Sequence, residues 1–329
     1  MSVRAGAVLA AVCFVVSFCA TARAQMIPPP VSLSSSPSSP APRATFSVTA
    51  ATPTFDKDFA DFSWSVDGKP RPEFSGVGAD TITLTAGAAG SPTRVSVSVS
   101  RPGGETADAS LTIIPSELSL PWTAETSAPP WYRGKALPSP GAVVHVSAIP
   151  RIIIGGSALN PDTLIYRWRI DSDKESLTGA GKRVFTFTAS ALPGTTHQID
   201  VSVEDIQGRI RKEGQVLITT DATPRVILYP SSPLGGTESR SAGAAPARPG
   251  LFDVVAEPFF FPLSSVASLA YDWSIDGSVV PSAPQSPRIA TIDAARRAGE
   301  VVGIGVVARG GAGILRGSFS GFFNLFIAP

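Results

Sequence analysis

"FSWSVD" at 62–67, "YRWRID" at 166–171 and "YDWSID" at 271–276 are one phrase written three times. Trp64, Trp168 and Trp273 stand in register, 104 and 105 residues apart, a period of domain size rather than of a short stacked repeat. An aromatic lies two positions before each Trp (Phe62, Tyr166, Tyr271) and an aliphatic two positions after it (Val66, Ile170, Ile275). That period of two is the mark of a strand with one buried face, and it aims the three indoles at a core. Asp67-Gly68 and Asp276-Gly277 follow at once, the pair that tolerates φ > 0 at both centres of a two-residue hairpin; Asp171-Ser172-Asp173 is a looser version.

Working outward, each copy repeats more than its Trp strand. Val95 and Val97, Ile199 and Val201, and Ile304 and Val306 lie 31 and 33 residues beyond the respective Trp, predicting a second strand. Another alternating run precedes each Trp, with Phe46 and Val48, Val144 and Val146, and Phe252 and Val254. A last one closes each copy: "SLTII" at 110, "QVLIT" at 215 and "GFFNLFI" at 321. Short strands with turns between them are the signature of an antiparallel sandwich. The nearest helical candidate, "TIDAARRAGE" at 291, is one or two turns.

The aromatic-x-Trp-x-aliphatic-Asp-Gly phrase resembles the centre of PKD-type and related immunoglobulin-like domains of bacterial exported proteins, although the fuller Gly-Asp-Gly turn of PKD domains is missing. The resemblance implies an all-β chain of three tandem antiparallel immunoglobulin/PKD-like β-sandwiches, over 43–116, 117–221 and 222–329, each indole packed between two sheets. "APPWYRGKALP" at 128–138 is similar to a segment of multi-domain bacterial surface proteins, some near type IV pilus genes, a likeness that carries no assigned activity. The loops are expected to meet a protein or glycan partner at the cell envelope.

The first 24 residues carry Arg4, an apolar run from Ala5 to Ala20 and Ala22-Arg23-Ala24, which reads as a signal peptide cut after Ala24. The expectation is export to the periplasm or cell surface with no membrane span after cleavage; the alternatives are an uncleaved anchor and, at Cys19, a lipid-modified cysteine, against which stands the bulky Phe18. Residues 25–42 are rich in Pro and Ser and read as an extended tether. Both cysteines, Cys13 and Cys19, fall in the leader, so the mature domains are held by packing alone. The 27 basic residues less Arg4 and Arg23 leave 25 against 26 acidic ones, a balance that recruits neither nucleic acid nor an anionic membrane. Short links between the copies predict a stiff rod.

Chemistry is sparse. Only His145 and His197 are present, each inside a strand pattern, which argues against a His/Cys zinc site. Neither Gly-x-Ser-x-Gly nor Ser-x-x-Lys occurs; "GSFSG" at 317 has Phe319 at its centre. Gly76-Val77-Gly78 and Gly179-Ala180-Gly181 lead into strands rather than helices and read as turns. Asp171 with Asp173, or Asp56 with Asp58, lack the EF-hand spacing and read as turn caps before they read as calcium ligands. No enzyme, cofactor or metal is expected. The binding candidates are Trp122, just before a Pro/Gly-rich insertion from Thr123 to Gly141, and Trp131 and Tyr132 with Arg133 and Lys135 within it; a second insertion runs from Pro230 to Gly250. Aromatics on a loop can stack on sugars or anchor a protein, or else fill the joint between domains. "PFFFP" at 258–262 reads as a domain-edge plug rather than a binding patch.

Overall fold

The computed structural model describes residues 31–54, 56–101, 103–104, 106–172, 176–232, 236–238, 250–282, 286–310 and 317–329. The expected leader over residues 1–24, Asp173 and much of the second insertion lie outside them.

Each tryptophan strand is an inner strand of an antiparallel sheet. Its order in the first copy is Lys69–Pro70, Asp61–Val66, Thr93–Ser100, Thr106–Ile113. In the second it is Leu177–Ala180, Ile165–Ile170, Thr196–Glu204, Arg211–Thr219, and in the third Ser278–Val280, Ala270–Ile275, Val301–Gly310, Gly317–Phe326. Trp64, Trp168 and Trp273 pair with Val97, Val201 and Val306, the strand expected from the sequence. A second sheet faces each of these: Ser32–Ser36, Thr45–Ala51, Thr81–Thr85; then Trp122–Ala124, Val143–Ser147, Val184–Thr188; then Arg225–Ser232, Leu251–Phe259, Ile289–Asp293, with Gly236–Thr237 at its rim. The chain is thus all-β, a tandem of antiparallel sandwiches of the immunoglobulin/fibronectin type III kind.

Apolar side chains of the facing sheets close three separate large cores. The indoles sit inside them, 2%, 0% and 1% exposed for Trp64, Trp168 and Trp273. A buried indole N–H needs an acceptor. Each finds one 14 or 15 residues on: Trp64 Nε1 donates to Ala79 O (2.8 Å), Trp168 Nε1 to Lys182 O (2.7 Å) and Trp273 Nε1 to Pro287 O (3.0 Å).

The Asp that ends each phrase does more than turn the chain. Asp67, Asp171 and Asp276 have φ of 50°, 53° and 49°, and each is followed by another residue at positive φ. Their Oδ1 atoms accept from the backbone N–H of Arg94, Gln198 and Gly303, all at 2.8 Å. Their own N–H groups donate back to the carbonyls of the same three residues, also at 2.8 Å. Asp suits this position because its short side chain tolerates the left-handed region and its Oδ1 ties the turn to the neighbouring strand.

Two expectations change. The tether over 25–42 gives way, from Val31 on, to ordered structure: Ser32–Ser36 pairs with Thr45–Ala51, Val31 is buried in the first core, and Ser39 is buried beside Ser116. Ser and Pro composition suggested a solvated linker, but small residues also suit a sheet edge, and the first sandwich begins ahead of residue 43. The segment at 291 is no helix; the strand runs through Asp293 and turns follow.

Candidate functional site

The inner faces explain stability, so a functional surface must be sought in the insertions and joints. The insertion after Trp122–Ala124 folds onto the third sandwich. Ser127 N donates to Phe261 O and Phe260 N to Ser127 O, both at 2.7 Å, while Ser127 Oγ accepts from Phe261 N at 3.1 Å. Leu263 N donates to Glu125 O at 3.0 Å, and Thr126 Oγ1 donates to Leu137 O at 2.9 Å.

This short backbone seam frames a fourth apolar cluster, in which Ala222, Tyr229, Phe259 and Phe260 are buried and Trp131, Tyr132 and Leu137 pack against them. Trp131 meets Tyr229 edge to face at 5.4 Å, and Tyr132 meets Phe259 and Phe260 likewise at 5.7 and 5.8 Å. Edge-to-face pairs of this kind contribute about 0.5–1.5 kcal/mol each beyond their burial. Arg225 lies over the rings of Phe259 and Phe260 at 5.9 and 5.8 Å. Phe260 has φ +60°, a conformation a bulky residue adopts only when its surroundings enforce it. "PFFFP" is accordingly a plug: Phe259, Phe260 and Phe261 are all buried.

The five binding candidates are therefore split. Trp131 and Tyr132 are in the joint. Trp122 packs partly against the second core, and Lys135 Nζ caps its ring 2.9 Å from the centroid. Loss of water around that ammonium lowers the Lys135 pKa from its ordinary value. Arg133 is exposed. Trp122, Trp131 and Tyr132 are each half-buried, with part of the ring held by neighbours within the protein. Of the readings open to these aromatics, the joint between domains is the one that Trp131 and Tyr132 follow.

The sequence carried a sign of this. In "RVILY" at 225–229, Val226 and Leu228 enter the third core while Ile227 and Tyr229 on the other face join the aromatic cluster. A strand apolar on both faces is covered on both faces. Ser127, 134 residues from its partner Phe261, had no local signal.

The first two sandwiches are joined by smaller contacts. Gly90, at φ +79°, packs so closely on Ile153 that a Cβ there would lie 2.5 Å from the Ile153 side chain. Lys212 Nζ donates to Ser39 O at 2.6 Å, while Ser39 Oγ is itself fixed within the first sandwich by donating to Ile114 O at 2.8 Å.

Both histidines are held by neighbours. His145 bonds Glu125 (2.8 Å) and Thr186 (2.9 Å); His197 Nδ1 bonds Asp171 (2.7 Å) and its Nε2 accepts from Ser190 N (3.2 Å). Asp56 caps the short turn Lys57–Phe59 through Asp58 N. Among the described residues no group of three or more His, Cys, Asp and Glu side chains is placed to hold a metal, and no helix is long and apolar enough to cross a membrane.

No protein-family model and no curated protein sequence matches the chain. Among solved structures it is similar to the three N-terminal domains of the bacteriophage RB49 highly immunogenic outer capsid protein, at 13% identity over 91% of this chain and 99% of that one, with a TM-score of 0.25. It is also similar to the Bacteroides ovatus mixed-linkage glucan utilization locus protein SGBP-B, solved with a mixed-linkage heptasaccharide, at 11% identity over 88% of this chain and 65% of that one (TM-score 0.25). A third likeness is to the fibronectin(III)-like modules of Clostridium thermocellum CbhA, at 12% identity over 57% and 94% of the two chains (TM-score 0.27).

Proposed function

We propose that this chain is an exported, non-catalytic spacer of the cell envelope, built of three PKD-like or immunoglobulin-like domains whose joints are stiffened so that a distal surface is held away from its attachment. The observation that carries this reading is the aromatic joint, where backbone bonds through Ser127 and a buried Phe259-Phe260 plug restrict the two sandwiches they link. Phe260, at φ +60° just beyond the strand Leu251–Phe259 of the third sandwich, is held in that conformation where Tyr132 of the insertion packs on it. The leader-like N-terminus supports export, and an adhesive or assembly role alongside surface machinery such as a pilus is part of the same proposal. The competing reading is a carbohydrate-binding module using Trp122, Trp131 and Tyr132, each of which is half-buried against the protein.

Small-angle scattering on the chain and on Trp131→Ala tests this. The unsubstituted protein is expected to give an elongated, narrowly distributed distance profile, and the variant a broader one with the sandwich cores still folded. A compact globule, or a profile indifferent to Trp131→Ala, would end the spacer reading.

A further inference from the structure

We propose that the outer face of the second sandwich binds a carboxylated sugar, the acidic unit of a uronate-bearing glycan, in a groove centred on Arg169. The groove has a volume of about 440 Å³, within the roughly 300–1,000 Å³ of small-ligand sites. It lies on the side of the sheet away from the core: Trp168 and Val201 are buried inward, while Arg167, Arg169, Asp200 and Ser202 alternate with them and face outward. The site is separate from Trp122, Trp131 and Tyr132 and does not depend on the spacer reading.

Charge at the groove is matched except at one place. Arg167 pairs with Glu204 at 2.5 Å and Arg211 with Glu213 at 2.9 Å. Arg169 stands directly across the ladder from Asp200, yet both Asp200 oxygens are taken by amides instead, Oδ2 by Gln198 Nε2 at 2.9 Å and Oδ1 by Gln215 Nε2 at 3.0 Å. Among the described residues the Arg169 guanidinium is left without a hydrogen bond or ion pair. The hydroxyl of Ser202, two residues beyond Asp200 on the same face, is left over as well, its Oγ buried with no partner. A buried hydroxyl is normally hydrogen-bonded, so this one points to a group that completes it.

The guanidiniums are particular to the second copy. Arg167 and Arg169 flank Trp168 where the first copy has Ser63 and Ser65 and the third has Asp272 and Ser274. The core fixes only the inward residues of these strands, and only here do two arginines occupy the outward ones.

A carboxylated sugar fits what the groove offers. Its planar carboxylate matches the two-pronged donor set of a guanidinium. Its ring hydroxyls both donate and accept, as a lining that mixes Ser202 and Gln215 with the carboxylates of Asp200 and Glu213 requires. No aromatic ring lines the groove, so a neutral sugar finds neither a stacking surface nor a use for Arg169. An acidic peptide cannot add here as a strand, because Ile165–Ile170 and Thr196–Glu204 are already hydrogen-bonded on both sides.

The test is a calorimetric titration of the full chain with tri-galacturonate at low ionic strength, where exposed charges are least screened. Saturable binding is expected, and Arg169→Gln is expected to weaken it about ten- to hundred-fold through loss of a charge-assisted pair. Arg169→Lys keeps the charge but not the fork and should fall between the two. Ser202→Ala should weaken binding about three- to ten-fold. Arg169 is exposed, so its variants should keep the unfolding midpoint of the unsubstituted chain. Absence of saturable binding, equal binding of neutral maltotriose, or an affinity indifferent to Arg169→Gln would overturn the proposal. So would acetate or a penta-aspartate peptide binding as tightly through Arg169, since the groove would then read charge alone. Scattering reads the aromatic joint and this titration reads the outer face, so either reading can fail without the other.

Discussion

Replacing Trp168 by alanine removes the side chain on which the second sandwich closes. The indole is fully buried, stacks on Phe185 with centroids 5.6 Å apart at 15°, and donates to the Lys182 carbonyl. A buried Trp covers about 200 Å², and at about 25 cal/mol per Å² that corresponds to about 5 kcal/mol. Aromatic-to-alanine changes in cores cost about 3–5 kcal/mol, and the stranded Lys182 carbonyl adds about 1 kcal/mol or more to the transfer loss. An expected loss of about 4–5 kcal/mol is a large part of the roughly 5–15 kcal/mol available to a domain. Because sandwiches in tandem need not unfold together, a single melting point is a poor reporter. Hydrogen exchange read peptide by peptide separates them: protection should collapse across 143–219 and persist across 45–113. Trp168→Phe should keep most of the packing and lose about 1–3 kcal/mol through the unpaired carbonyl. A loss under about 1 kcal/mol for the alanine variant, or a loss spread evenly over all three sandwiches, would refute the reasoning from burial.

Two further outcomes follow from buried polar groups. Tyr166 and Tyr271 occupy the same place in their repeats, but Tyr166 OH donates to Pro161 O (2.9 Å) whereas Tyr271 OH is buried with no partner among the described residues. Tyr166→Phe should therefore cost about 1 kcal/mol and Tyr271→Phe should be neutral or stabilising; urea titrations giving equal losses would contradict this. Burial by itself would raise the Asp205 carboxyl, but the Arg209 side chain and the backbone N–H groups of Ile210 and Arg209 outweigh it and hold its pKa below the usual carboxylate range. Asp276 is lowered too, by Arg297 and by Gly303 N–H, though its exposure makes its share small. A depressed carboxylate gives stability that is complete above the unfolded value of about 3.9 and is lost as pH falls through the folded one. The stability gap between the wild type and Asp205→Asn should thus narrow as urea midpoints are taken from pH 6 down to pH 3, and a gap constant with pH would count against the assignment.

What the sequence determined by itself is the repeated interior. The period-2 pattern around Trp64, Trp168 and Trp273, the strand about 31–33 residues beyond, and the Asp at each hairpin are local regularities, imposed by strand geometry and by the φ > 0 requirement of the turn. The donors to the Asp carboxylates and the acceptors of the indole N–H groups were invisible, because backbone atoms of any residue serve. Composition misled at 31–42, where serines that suit a solvated linker instead form an edge strand. Only the tertiary structure decided the fate of the other faces. Trp131 meets Tyr229, and Ser127 meets Phe261, across about a hundred residues or more, and Phe322 lies flat because Gly303 and Gly305 on a neighbouring strand leave it room. A repeat constrains the side that every copy must bury. The opposite side is free to diverge, so whether an aromatic there ends in a joint or in water depends on which sandwich surface the chain brings against it.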